Sequence, residues 1–135
     1  SYLLIAGNYS IEIAKNSKDF KNIILLDKIS NTVFNDILFF ADYYVSASLT
    51  EGCPLSVLEA INTQNHIILS DIEAHQEISN NVPGILLFNK CNITNLYEKM
   101  SYALTLKDID KPTLPKNYTD TIMTSSYDKL YFESI

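Results

Sequence analysis

The chain has 135 residues, a formal net charge of −6 and 47% hydrophobic residues, which is the size and apolar content of one globular domain with a buried core. All ten basic residues are lysines, so arginine's forked donor is absent and no nucleic-acid partner is expected. Cys53 and Cys91 are far apart and lack metal-ligand spacing, which predicts free thiols and a cytoplasmic protein. No apolar run approaches the roughly 20 residues that span a bilayer, so no transmembrane segment is expected.

Short apolar runs alternate with helical patterns up to about residue 106. The predicted strands are, in chain order, 2–6, 22–27, 43–48, 66–70 and 84–88. The predicted helices follow them in turn, at 11–20 behind Ser10, after Ser30, at 55–63, at 73–79 and from Asn92 to about Leu106. Ser10, Ser30 and Asn92 are predicted N-caps. Because runs such as YLLIA (2–6) are typical of strands buried on both faces, the pattern predicts an α/β fold, a Rossmann-like open parallel sheet with helices on both faces.

The end of the chain has a different composition. The segment 107–116, KDIDKPTLPK, holds two prolines and few apolar residues, which is typical of a linker. Residues 117–135 carry tyrosine, isoleucine and leucine near helical spacing, which predicts one C-terminal helix. We therefore expect a Rossmann-like domain over 1–106, a linker over 107–116 and a terminal helix over 117–135.

The stretch 48–60, SLTEGCPLSVLEA, follows the third predicted strand. Ligands of open parallel sheets bind outside the carboxyl ends of the strands, where this stretch lies. Gly52 permits a backbone conformation closed to other residues, and Pro54 suits the first turn of a helix. Free N–H groups at the helix start, with the helix dipole behind them, predict a phosphate seat. The three N–H groups are those of Leu55, Ser56 and Val57.

Two glutamates bracket this predicted seat. Glu51 lies in the loop before the helix and Glu59 lies one turn after its start, so both carboxylates can approach one ligand. A carboxylate repels a phosphate but accepts hydrogen bonds from hydroxyl groups, and a sugar nucleotide carries hydroxyls on both sides of its diphosphate. The alternative is that Glu51 is a solvated loop residue and Glu59 an exposed helix position.

The run SASLTEGCPLSVLEA, followed by HIILSDIEAHQEI, resembles the C-terminal, donor-binding domain of retaining GT-B glycosyltransferases of the group 1 (family 4) type. The pattern of that family is a strand, then Glu-Gly-x-Pro-x-x-x-x-Glu-Ala, a second strand, Ser-Asp and Glu-Ile. The runs LLIAGNY, KNIILLDKIS, ILFFADYYVSAS and GILLF also fit, so the resemblance covers nearly the whole chain.

The resemblance implies a nucleotide-sugar-binding domain with a role for each part of the site. Glu51, the catalytic candidate, would face the donor sugar and help to stabilise charge at the anomeric centre, while Glu59 would hold the ribose hydroxyls. The backbone that would meet the sugar and the diphosphate belongs to Gly52, Cys53, Pro54, Leu55, Ser56 and Val57. The residues that would line the base are Asp27, Lys28 and Ile29. The implied donor is a UDP-, GDP- or ADP-sugar, and neither a metal nor another cofactor is expected.

Some parts of the family pattern are absent from these residues. The family domain normally begins one strand and helix earlier, with an arginine and a lysine that neutralise the diphosphate, and an N-terminal acceptor-binding lobe precedes it. We therefore expect that either the remaining strands close up or a longer parent or partner chain supplies the missing parts, and we expect little or no transferase activity from this chain alone. In the family's strand order the missing strand is central, so we also expect unpaired strand edges.

The residues after the motif differ from the family as well. Gln64 and His66 replace the usual glycine and proline, so Asn65 is expected to adopt the left-handed conformation. His66 is expected to be structural. His75, in a strand-end loop on the ligand side, and Glu77 have either structural or ligand-contacting roles.

Two functions are left open. One is the donor-binding half of a retaining glycosyltransferase of the hexosyltransferase type, active on a glycan, lipid or protein acceptor, with a parent protein that is either soluble or membrane-associated. The other is a non-catalytic partner subunit or degenerate module of the same fold. The sequence does not identify the sugar, the base, the acceptor or the oligomeric state.

Overall fold

The computed structural model describes residues 1–105 and 111–118. They form an α/β fold with five strands, five α-helices and two short 3-10 helices in that part of the chain. The strands are β1 (Leu3–Ala6), β2 (Ile23–Leu26), β3 (Tyr43–Ser46), β4 (His66–Ser70) and β5 (Leu86–Phe88). The α-helices are α1 (Ile11–Asn16), α2 (Asn31–Phe40), α3 (Leu55–Asn62), α4 (Glu73–Asn81) and α5 (Ile93–Thr105). The 3-10 helices are Ser17–Asp19 and Lys116–Tyr118.

All strand pairs in the described residues are parallel, and they belong to two open sheets, β1-β2 and β3-β4-β5. The predicted α/β class with parallel strands and helical crossovers is therefore confirmed. Two compact units contain these sheets, residues 1–37 and residues 38–135. Within the described residues, β1 pairs only with β2 and β3 pairs only with β4. The predicted strand ahead of residue 1 stays a prediction.

The predicted domain boundaries also stay predictions. Residues 107–110 of the predicted linker and 119–135 of the predicted C-terminal helix lie outside the described residues. Among the helices that the structure describes, none is long and apolar enough to cross a membrane.

The first unit contains the β1-β2 sheet, whose register runs from Leu3 opposite Ile23 to Ala6 opposite Leu26. Every residue of this unit is at least partly exposed, and 41% of the Leu3 side chain and 43% of the Leu4 side chain face solvent. The prediction that these two strands are buried on both faces is therefore wrong. A two-stranded sheet is too small to cover both of its own faces.

Helix starts in the described chain follow their predicted caps. The N–H of Ile13 donates to Ser10 Oγ over 3.2 Å at the start of α1, and the N–H of Val33 donates to Ser30 Oγ over 3.3 Å at the start of α2. At α5, the Asn95 N–H donates to Asn92 Oδ1 over 2.9 Å. These caps satisfy N–H groups that have no partner within the helix itself.

The second unit is built on β4, which lies between β3 and β5. Four consecutive residues of β4, from Ile67 to Ser70, are buried, as expected for a strand with neighbours on both edges and helices packed against it. One core cluster joins Ile68 to Phe88 of β5 and Ala103 of α5. On α3, the buried side chains are Val57, Ala60 and Ile61.

The turn from α3 to β4 differs from the prediction. Gln64, not Asn65, has the left-handed conformation, with φ 60°, because Thr63 is the C-cap of α3 and the chain reverses at the residue after the cap. Asn65 is fully buried. Its side-chain N–H groups donate to the carbonyl oxygens of Leu38, over 2.9 Å, and Ala41, and Thr63 Oγ1 donates to Asn65 Oδ1 over 2.7 Å. Asn65 therefore ties the end of α2 to the start of β4.

Replacement of Asn65 by alanine is expected to lower the free energy of unfolding by about 2 to 3 kcal/mol. The change removes the hydrogen-bond donor of two backbone carbonyl groups, those of Leu38 and Ala41. A buried carbonyl group that is left without a donor costs about 1 to 3 kcal/mol. Urea denaturation followed by circular dichroism measures this loss. The matched control is Asn62→Ala, at the exposed end of α3, which should change the stability by less than about 0.5 kcal/mol. Equal losses of stability in the two variants would contradict the role of Asn65 in tying α2 to β4.

Candidate functional site

The candidate site lies where β3 and β4 end. These neighbouring parallel strands end at Ser46 and Ser70, so their carboxyl ends lie at the same edge of the sheet, the usual ligand side. The predicted third strand stops two residues earlier than expected, and residues 47–54 form the loop that leads to α3. The hydroxyl of Ser70 donates to the carbonyl oxygen of Ser48 over 2.6 Å. The loop is therefore bonded to the end of β4.

Glu51 is held inside this loop by polar contacts. Its side chain is 21% exposed, which does not fit the alternative of a solvated loop residue. Glu51 Oε1 lies 3.5 Å from Ser46 Oγ and 3.5 Å from His75 Nε2. Ser46 Oγ lies 3.1 Å from Ser48 Oγ. Glu51 thus joins a small network of serine hydroxyls and one imidazole.

His75 is the third residue of α4 and is fully buried. This position agrees with the helix predicted over 73–79 and not with the strand-end loop that was also suggested for His75. Its Nδ1 atom lies 2.8 Å from the carbonyl oxygen of Ser70 and 3.3 Å from Ser70 Oγ. The same ring therefore contacts the end of β4 through Nδ1 and the carboxylate of Glu51 through Nε2. Glu77, on the same helix, is exposed.

Tyr44 of β3 is bonded to α3, and its pKa responds to the charges of both predicted glutamates. Its hydroxyl donates to Ser56 Oγ on α3 over 2.9 Å. Burial raises the pKa of Tyr44; the hydrogen bond to Ser56 opposes this shift, and the negative charges of Glu51 and Glu59 add to it. Glu59 itself is half-buried on α3.

The start of α3 differs from the predicted phosphate seat. The N–H of Leu55 donates to the carbonyl oxygen of Cys53 over 2.9 Å, and the N–H of Val57 donates to that of Pro54 over 3.0 Å. Two of the three predicted free donors are therefore occupied, and only Ser56 is left from that set. The reason is local: Pro54 is the N-cap rather than a first-turn residue, with φ −81° and ψ 73°, and its carbonyl closes the first turn.

Gly52 also differs from its prediction. Its φ angle is not in the left-handed region. The described glycines that do have a positive φ angle are Gly7 and Gly84. A Cβ atom added at Gly52 would meet nothing within 4 Å. The backbone of this chain therefore does not itself require glycine at position 52. Its neighbour Cys53 is exposed.

The predicted base-lining residues belong to the first unit. Asp27 and Lys28 are exposed and Ile29 is half-buried. Asp27 Oδ1 accepts a hydrogen bond of 3.0 Å from the hydroxyl of Tyr9, and this bond raises the pKa of Tyr9. The described residues contain no group of three or more histidine, cysteine or acidic side chains that could hold a metal ion.

His66 opens β4, away from the strand ends that hold the site. Its ring stacks on Tyr43 with centroids 5.1 Å apart. Burial lowers the pKa of His66, and the charge of Lys111 lowers it further. These contacts fit the structural role that the sequence suggested.

Sequence reasoning missed four polar residues of the site: Tyr44, Ser46, Ser48 and Ser70. Tyr44 and Ser46 are two residues apart on β3, so their side chains share one face of the strand. That alternation of polar residues at the end of an otherwise apolar strand was the available signal. The serine-to-carbonyl bond between Ser70 and Ser48 left no comparable signal, since it depends on how the two strands pair.

Comparison with protein families gives a match over most of the chain. A search of curated proteins found none that is similar to this chain. The family model described as glycosyl transferases group 1 matches residues 1–105, which includes all five strands and the whole candidate site. Glycosyl transfer is the reaction that this family's description names, and the chain belongs to the group 1 glycosyl transferases.

Proposed function

We propose that this chain is the donor-binding domain of a retaining glycosyltransferase that takes a sugar, of the hexosyl type, from a nucleoside-diphosphate sugar. The acceptor would be a glycan, a lipid or a protein, bound by another domain or a partner chain. The observation that supports this most is that Glu51 lies in the loop after the carboxyl end of β3, where Ser46 Oγ donates to it, while the charges of Glu51 and Glu59 both raise the pKa of Tyr44 on the same strand. Two acceptor groups at this edge suit the hydroxyl-rich ends of a sugar nucleotide.

Glu51 is proposed to accept hydroxyl groups of the donor sugar. Both of its contacts with described residues, from Ser46 and His75, fall on Oε1. Oε2 is then the oxygen that can accept a hydrogen bond from a ligand, and a charge-assisted bond of that kind is stronger than a neutral one. In the same proposal, Glu51 stabilises positive charge that develops at the anomeric carbon.

Glu59 is proposed to hold the ribose. It lies one turn into α3, and helical side chains lean toward the N-terminus, so its carboxylate points back toward the loop. Its half-buried position and its effect on the pKa of Tyr44 support a place beside the ligand. Asp27, Lys28 and Ile29 are retained as the proposed base-lining residues.

The diphosphate would lie at the start of α3, where the helix dipole favours negative charge. Because the N–H groups of Leu55 and Val57 already donate within the chain, the proposed phosphate site is left with the N–H of Ser56 and the helix dipole. No lysine occurs between Lys28 and Lys90, and the chain has no arginine. The cations that neutralise a leaving diphosphate are therefore proposed to come from residues outside these 135.

The shortage of cations also favours a second candidate, a non-catalytic module of the same fold that keeps the glutamates as scaffold. The sequence encoded directly upstream separates the two functions. A Gly-Arg followed by a Lys-Gly there would favour the enzyme, whereas an initiator methionine at that point would favour the module.

Donor binding is expected to raise the melting temperature of the chain. A ligand at about 100 times its dissociation constant adds about 2.7 kcal/mol to the free energy of unfolding, which corresponds to several degrees for a domain of this size. A thermal-shift panel of UDP-, GDP- and ADP-sugars tests this. Glu59→Ala should remove most of the shift, whereas Glu12→Ala, the same change at an exposed position of α1, should keep it. If no donor stabilises the protein, the sugar-nucleotide proposal loses its support.

Replacement of Gly52 by alanine is expected to separate stability from binding. The added Cβ meets nothing within 4 Å and reduces the entropy of the unfolded chain, so stability should be unchanged or higher by up to about 1 kcal/mol. Donor affinity should fall, because the proposed ligand approaches the backbone at this position. Urea denaturation and the thermal-shift panel measure the two effects. Unchanged donor affinity would show that the ligand does not approach Gly52.

The purified 135-residue chain is expected to show little or no sugar transfer, even when it binds donor. Release of the nucleoside diphosphate needs positive charge that this chain does not supply at α3. Incubation with donor and a set of simple acceptors, followed by mass spectrometry, measures transfer and donor hydrolysis together. Measurable turnover would contradict the proposal that the missing cations are essential.

A further inference from the structure

The buried Nε2 atom of His75 is an unusual feature of the described chain. It is a side-chain polar atom shielded from solvent for which the described residues provide no regular hydrogen bond. Among the described residues, Glu51 Oε1 is the polar atom that faces it, 3.5 Å away. A buried polar atom without a hydrogen bond destabilises the fold, so this contact calls for a physical explanation.

The other side of the ring fixes which nitrogen carries a proton. Nδ1 lies 2.8 Å from the carbonyl oxygen of Ser70, which can only accept. The hydroxyl of Ser70 is also close to Nδ1, at 3.3 Å, but its proton is directed to the carbonyl of Ser48. Nδ1 must therefore be the donor, and a neutral ring then has a lone pair on Nε2.

A lone pair on Nε2 would face a carboxylate oxygen, and two acceptors repel each other. The contact becomes favourable when one proton lies between Nε2 and Oε1, carried either by the imidazole or by Glu51. In that arrangement His75 holds one oxygen of the carboxylate, as Ser46 does over 3.5 Å. The second oxygen is then fixed in direction by two partners from β3 and α4.

We propose that His75 is a positioning residue for Glu51. Its Nδ1 atom is bonded to the end of β4, and its Nε2 atom binds Glu51 Oε1 through a proton that one of the two groups carries. The other carboxylate oxygen, Oε2, is then directed at the ligand. This inference rests on the proposed function for its effect on the donor, but the proton between His75 and Glu51 does not depend on any ligand. It assigns a role to a histidine that is otherwise only part of the core.

Imidazole nitrogen NMR tests the pair without a ligand. The chain has two histidines, so a His66→Gln background leaves His75 as the source of all ring signals. We expect Nδ1 to carry a proton, and we expect Glu51→Gln to move the Nε2 resonance while Glu59→Gln leaves it in place. An unprotonated Nδ1, or an Nε2 resonance that Glu51→Gln does not move, would overturn the proposal.

Donor binding then tests the consequence for the site. His75→Leu and Glu51→Ala should each weaken binding of a sugar nucleotide by about tenfold. The double variant should bind no more weakly than Glu51→Ala alone, because His75 acts on the ligand only through Glu51. Binding of the nucleoside diphosphate without its sugar should be unaffected. His75→Gln, whose amide can still donate to Oε1, should restore part of the affinity. The control is His66→Gln, at the far end of β4.

The NMR experiment and the binding experiment can contradict different proposals. If no nucleotide binds to any variant, the proposed function fails, and the NMR result still decides whether His75 holds Glu51. If nucleotides bind and His75→Leu weakens the sugar nucleotide and the bare diphosphate equally, His75 acts only through the fold and the positioning role is wrong. His75→Leu also removes the donor to Ser70, so an unfolded variant leaves the decision to His75→Gln and the NMR experiment.

Discussion

The parallel pairing of β3 with β4 is the constraint on which the candidate site depends. It brings Ser46 and Ser70 to the same edge of the sheet, and the bond from Ser70 Oγ to Ser48 holds the following loop there. β4 can impose this register because it is buried and paired on both edges, so a shift of one residue would exchange the side chains that pack on its two faces. The position of Glu51 is therefore set by the core of the second unit rather than by the loop alone.

That arrangement concentrates negative charge in a partly buried place. Glu51 and Glu59 act on one phenol, and the sequence has no lysine between Lys28 and Lys90. Charges that are partly removed from water cost free energy unless they are paired. A fold that keeps one such group in the loop after β3 and another on α3 retains a local cost, which is common where residues serve a ligand. His75 and the nearby serines reduce this cost without removing it.

The sequence predicted the elements well where local chemistry decides them. β4 is a continuous apolar run and was predicted with its observed ends, and the caps Ser10, Ser30 and Asn92 need only their own first turns. The contact between His75 and Glu51 was not predictable, because it joins α4 to a loop that precedes α3. The exposed faces of β1 escaped prediction for a related reason: an apolar run shows that a strand can be buried, but not how many neighbours its unit provides.

Gly52 and Pro54 show a different limit of sequence reasoning. Both were interpreted through the backbone conformations that these residue types allow, and in the structure Gly52 needs no special φ angle while Pro54 precedes the helix. The open space around a Cβ at position 52 means that no group of the described chain accounts for glycine there. An approaching ligand would account for it, since a side chain at that point would stand between the loop backbone and anything bound at the ends of β3 and β4. With two of three expected N–H donors already used, such a ligand would be recognised mainly through its hydroxyl groups. Under the proposed function, this chain would therefore contribute more to binding the sugar and ribose of a donor than to binding its diphosphate.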